Sequence, residues 1–70
     1  ICIEGPNNIS GLTFERINIV GAGTHGINVR SNASGSATFN YVTVSGAQQG
    51  GLNKESVSFT INKGPGNSGW

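Results

Sequence analysis

Hydrophobic and polar residues alternate in short runs along most of the chain. The runs with this period of two are 12–14, 17–19, 27–29, 39–41, 42–44 and 57–61. A period of two places every second side chain on one face of a β-strand. No segment long enough for a helix repeats its hydrophobic residues every 3.6 positions, and glycines that permit sharp corners separate many of the runs. The pattern predicts an all-β protein built from short strands.

The segment 13–31 recurs 25 residues later as the segment 38–56. Seven of the 19 aligned pairs are identical, and three others keep an aliphatic residue. Repeats of this length are typical of stacked units that bury their apolar faces against one another. Residues 1–4 match residues 27–30 with an offset of 26, and we expect the loop 5–8 to contain the extra residue.

We predict a right-handed parallel β-helix, or β-solenoid, of about three coils with about 25 residues each. A hairpin meander would need Asn-Gly or Asp-Gly turns, which the chain lacks. The right hand follows from the twist rule for parallel crossovers. Stacking in register predicts an amide ladder of Asn28 over Asn53. It also predicts inward pairs, which are Phe14/Phe39, Ile17/Val42, Ile19/Val44 and Ile27/Leu52.

Residues 1–63 form the predicted coils, and the turn-rich residues 64–70 form a cap or a linker. Three coils give a stack only about 14 Å high, with unpaired strand edges at both ends. We therefore expect the C-terminal part of a longer solenoid, which folds only against further coils of the same protein or of a partner chain.

The charged residues and the cysteine are too few to indicate a nucleic-acid partner, a membrane partner, a disulfide or a metal site. The net charge is +1 and 10% of residues are charged, which gives no indication of a nucleic-acid or membrane partner. One cysteine cannot form an internal disulfide. The single histidine and the three glutamates are scattered, so we expect neither a metal nor another cofactor.

The predicted register places Glu4, Arg30 and Glu55 in one outward column. Two interpretations remain open. The two carboxylates would be about 10 Å apart and could serve glycoside hydrolysis, with Glu4 as the candidate catalytic residue. Alternatively, the column is a Glu–Arg–Glu ladder that separates like charges.

Polar side chains near this column are candidates for binding sugar hydroxyls. They are His25 at the start of a strand, Asn28 and Arg30 on its outward face, and Asn53 in the next coil. Trp70 is a further candidate because aromatic rings can stack on sugar rings, although packing as a cap is the alternative.

The strings Gly26-Ile-Asn-Val29 and Phe39-Asn-Tyr-Val-Thr-Val-Ser-Gly46 resemble the right-handed parallel β-helix repeat of secreted carbohydrate-active proteins. The ending Phe59-Thr-Ile-Asn-Lys-Gly-Pro-Gly-Asn-Ser-Gly-Trp70 resembles the C-terminal end of bacterial α-1,3-glucanases and mycodextranases. Those enzymes rely on clustered aspartates, and this chain has none.

The resemblance implies an extracellular polysaccharide-degrading glycoside hydrolase that acts on an α-glucan. This chain would be its C-terminal segment, mainly structural and contributing to the sugar-binding groove, and would not be catalytic alone. A non-catalytic β-helix module for glycan binding or adhesion is the alternative, because fold does not determine function.

Overall fold

A computed structural model describes residues 1–70 as an all-β structure without helices, as the alternating pattern predicts. No helix is therefore available that could span a membrane. The strands are β1 (Cys2–Ile3), β2 (Asn8–Val20), β3 (His25–Val29), β4 (Ser34–Ser45), β5 (Gly50–Lys54) and β6 (Phe59–Lys63). β2 and β4 are long, with 13 and 12 residues, and the other four strands have two to five residues.

All strand pairs are parallel, and they form two three-stranded sheets. The short sheet has the order β1-β3-β5, and the long sheet has the order β2-β4-β6. The chain passes from one sheet to the other and returns, so that each circuit lies beside the previous one. The four predicted inward pairs are all Cα partners in this register, which confirms the 25-residue stacking.

The core lies between the two sheets and contains nine buried hydrophobic residues. Phe39 is at its centre and has no exposed surface. Its ring stacks on Phe14, with ring centroids 4.9 Å apart. Phe14 and Leu52 pack against this core but remain partly exposed, because they belong to the first and third circuits and have a neighbour on only one side.

Left-handed backbone conformations recur at equivalent positions of the three circuits, in β2, in β4 and after β6. Arg16 has a φ of 55°, Tyr41 a φ of 54° and Gly66 a φ of 76°, and the three are spaced 25 residues apart. The left-handed residue interrupts the alternation, so that Phe39 and Val42 both face the core although they are three residues apart. The period of two over 39–41 predicts Tyr41 on the face of Phe39. That prediction is wrong, since Tyr41 is 49% exposed.

Two further expectations from the pattern are wrong. The register changes inside β2, between Ile9 and Leu12, rather than in the loop 5–8. Gly11 lies at this irregularity with a φ of 69°, a conformation that costs glycine little. The run 57–61 becomes a strand only from Phe59, and Val57 is exposed to solvent.

Residues 64–70 continue the third circuit alongside β4. The amide of Tyr41 donates to the carbonyl of Pro65 at 2.9 Å, and Thr43 forms a parallel bridge with Ser68. At the end of this segment, Trp70 packs edge-on against Phe39, with ring centroids 5.0 Å apart.

Candidate functional site

The outward face of the short sheet contains a groove of about 250 Å³, to which we refer as the polar groove. None of the residues that line it is hydrophobic. The lining residues are Thr24, His25, Asn28, Arg30, Gln49 and Asn53. The structure thus brings together four of the residues that the sequence predicts to bind sugar.

The alternation of β3 positions the middle of the groove. Ile27 and Val29 are fully buried, so Asn28 and Arg30 on either side of Val29 face outward. Asn28 and Asn53 are Cα partners of adjacent parallel strands. Their side chains therefore emerge side by side, about 4.8 Å apart along the stack.

The corner before each short strand forms one end of the groove. The backbone N–H of Gln49 donates to the backbone carbonyl of Thr24 at 2.9 Å. This bond aligns the corners of two successive circuits. His25 opens β3 and pairs with Gly50, the first residue of β5. Because Gly50 has no side chain, the imidazole of His25 projects over an open position rather than against another side chain.

Most polar side chains of the groove have no hydrogen-bond partner in the protein. Asn28 is the exception, because its Nδ2 donates to the carbonyl of His25 at 3.3 Å. No hydrogen bond joins the side chains of Asn28 and Asn53, so the predicted amide ladder is not formed. An interstrand side-chain bond exists instead on the long sheet, where the Thr43 hydroxyl donates to Asn18 Oδ1 at 2.9 Å. The amide of Asn53 thus remains available to a ligand.

The predicted charge ladder is present only in part. Arg30 Nη1 lies 3.9 Å from Glu55 Oε1, and both side chains are about half exposed. Arg30 has no such contact with Glu4, although their strands are neighbours in the short sheet. Glu4 is exposed and does not line the polar groove. A role for Glu4 in catalysis stays a prediction.

Trp70 lies apart from the other candidates, at the open edge of the third circuit. Its indole Nε1 donates to the carbonyl of Val42 at 2.9 Å, and Lys63 Nζ lies 4.2 Å from the ring centroid. The ring borders a larger, mainly apolar depression of about 610 Å³ that Leu52, Phe59 and Ile61 also line. This depression is the exposed end of the core, so its size reflects the end of the stack.

Two lining residues, Thr24 and Gln49, are not among the predicted sugar-binding residues. The repeat contains the signal for them, because they occupy equivalent positions 25 residues apart, immediately before a short strand. The structure contains no cluster of three or more metal-ligating side chains.

No protein-family model, curated protein or solved structure matches this chain.

Proposed function

We propose that the chain is a segment of a right-handed parallel β-helix whose short sheet binds a polysaccharide through the polar groove. The parallel register, repeated over three circuits, supports the β-helix, and the twist rule for parallel crossovers supports the right hand. The observation that carries the function is the groove itself, because its lining is entirely polar while Ile27 and Val29 on the opposite face of β3 are buried.

The chemistry of the lining suits sugar hydroxyls. Side-chain amides carry both donors and acceptors, and so can bond two neighbouring hydroxyl groups at once. The groove volume of about 250 Å³ lies just below the usual range for small-molecule pockets. It would hold one unit of a chain that continues along the sheet in both directions.

The role that we propose in a polysaccharide-degrading hydrolase is binding and support rather than bond cleavage. Glycoside hydrolysis needs a pair of carboxyl groups at the scissile bond. No carboxylate lines the polar groove, and Glu55 lies beside the guanidinium of Arg30. The same observation favours the second candidate, a non-catalytic glycan-binding or adhesion module of a secreted protein.

The proposal is tested by measuring the affinity of the intact protein for polysaccharides, with an α-glucan among them. We expect Asn53→Ala to weaken binding by about tenfold, which corresponds to the loss of roughly one to two hydrogen bonds. Asn18→Ala is the matched control, because Asn18 lies on the long sheet outside the groove. Equal affinities for the two variants would refute the proposed site.

Hydrolysis by the intact protein separates the two candidate functions. If the protein is an enzyme, we expect Glu4→Gln to retain activity within about twofold of the unmodified protein, as a residue outside the catalytic pair would. A loss of a hundredfold or more would assign catalysis to Glu4. The absence of hydrolysis, together with tight binding, would favour the adhesion module.

A further inference from the structure

The lining of the polar groove is unbalanced in charge. Arg30 contributes a permanent positive charge and His25 an imidazole, while the remaining four side chains are amides or a hydroxyl. A groove for a neutral sugar does not require a guanidinium. A lining that contains a cation and no acid favours a ligand with a negative charge.

Arg30 is also available to a ligand in a way that the two lysines are not. Lys54 Nζ donates to the carbonyl of Ser56 at 2.7 Å, and Lys63 Nζ donates to the carbonyl of Trp70 at 2.6 Å. The guanidinium of Arg30 forms no hydrogen bond within the protein. Its contact with Glu55 is 3.9 Å, which is beyond hydrogen-bond distance.

Arg16 provides an internal comparison. Its Nη1 lies 3.7 Å from Glu15 Oε1, in a loose pair similar to that of Arg30 and Glu55. Arg16 lies on the long sheet, however, with its guanidinium 5.9 Å from the ring centroid of Tyr41. The two pairs therefore have the same chemistry, but of their four members only Arg30 lines the polar groove.

The spacing along the short sheet places the charge beside the amides. Arg30 follows Asn28 by two residues, so both face outward and their Cα atoms are about 6.6 Å apart. A guanidinium binds a planar carboxylate or a sulfate through two parallel hydrogen bonds. A sugar whose hydroxyl groups contact Asn28 and Asn53 would place an anionic substituent within reach of Arg30.

We propose that the polar groove selects a polysaccharide with carboxylate or sulfate groups, and that Arg30 binds the anionic group. This inference rests on the proposed function and refines it, because the sequence resemblance implies a neutral α-glucan. Glu55 then acts as an internal competitor that holds the guanidinium loosely until the ligand displaces it.

The test measures the affinity of the intact protein for matched pairs of polymers. One pair is a polymer of uronic acids and its methyl ester, and the other is a sulfated glucan and the unsulfated parent. We expect the charged member of at least one pair to bind about tenfold more tightly, the size of one charge-assisted hydrogen-bonded contact. The pair that shows the preference identifies carboxylate or sulfate as the recognised group.

Two charge-matched sets of variants assign the preference to Arg30. Arg30→Gln should reduce the tenfold preference to about twofold, whereas Arg16→Gln, with the same change in net charge, should leave it intact. Glu55→Gln should strengthen binding of the charged polymer, and Glu15→Gln should not. These differences isolate the groove from general electrostatic attraction.

The outcomes distinguish this inference from the proposed function. Equal binding of the charged and neutral polymers, weakened about tenfold by Asn53→Ala, would overturn the anionic preference and retain the polysaccharide site. Equal effects of Arg30→Gln and Arg16→Gln would overturn the role of Arg30. If no polymer of either pair binds, the proposed function itself fails.

Discussion

Gly26 provides the most specific test of how the two sheets pack. It precedes Ile27 in β3 and is buried beneath the side chain of Val44 in β4. A Cβ at Gly26 would lie 2.5 Å from Val44 Cγ1 and 2.8 Å from Cγ2, where ordinary contacts are about 3.5–4.0 Å. Val44 is buried and β-branched, so its methyl groups cannot rotate away freely.

We expect Gly26→Ala to lower the free energy of unfolding by about 1–2 kcal/mol. Overpacking of this kind costs about 1–3 kcal/mol. Replacing glycine by alanine restricts the unfolded chain and offsets about 0.4–1 kcal/mol of that cost. Gly23→Ala is the control, because no atom lies within 4 Å of its added Cβ and its φ lies outside the left-handed region. That variant should be neutral or slightly stabilised.

Urea denaturation of the intact protein, followed by circular dichroism, measures both variants and the coupling to Val44. Adding Val44→Ala to Gly26→Ala removes the two methyl groups that the new Cβ meets. The double variant should therefore be at least about 1 kcal/mol more stable than the sum of the single effects predicts. Additive effects, or equal stabilities of Gly26→Ala and Gly23→Ala, would refute the packing of β3 against β4.

Three other predictions concern the stack. Phe39→Ala should cost about 3–5 kcal/mol of unfolding free energy and Phe14→Ala less than half as much, since only Phe39 is fully buried; equal losses would contradict the central position of Phe39. Arg16→Gly should stabilise the protein by about 0.5–1 kcal/mol, because its φ of 55° is unfavourable for any residue with a Cβ; a destabilised variant in urea denaturation would contradict this. The isolated 70-residue chain should show no cooperative thermal transition in calorimetry, since nine buried hydrophobic residues cannot offset the entropy of ordering the chain; a sharp transition would contradict this.

The parallel register was predictable because identical and aliphatic residues recur every 25 positions. Phe14 over Phe39 and Ile27 beside Leu52 follow from that repeat alone. The left-handed backbone at Arg16 and Tyr41 was not predictable from the sequence, because neither residue type signals a positive φ. The equivalent Gly66 was the only local indication, since glycine adopts this conformation at little cost.

The sequence predicts most of the side chains that meet in the polar groove but not which hydrogen bonds they form. Alternation around Ile27 and Val29 determines that Asn28 and Arg30 face outward, so their proximity to Asn53 follows from the register. The partners of their side chains do not follow from register. Asn28 bonds to the carbonyl of His25, and Arg30 lies near Glu55 without a matching contact to Glu4. Such choices depend on rotamers, which stacking alone does not fix.

A nuclear magnetic resonance titration of the intact protein tests the central claim, that the polar groove binds a polysaccharide, most directly. The titrants are oligosaccharides of a uronic acid polymer, of a sulfated glucan and of its unsulfated parent. Side-chain amide resonances report on each asparagine separately. If the polar groove binds the sugar, the resonances of Asn28 and Asn53 should shift and saturate together, while those of Asn18 and Asn67 on the far side of the stack stay unchanged. Shifts confined to Asn18 and Asn67, or no shifts at saturating sugar, would contradict the account.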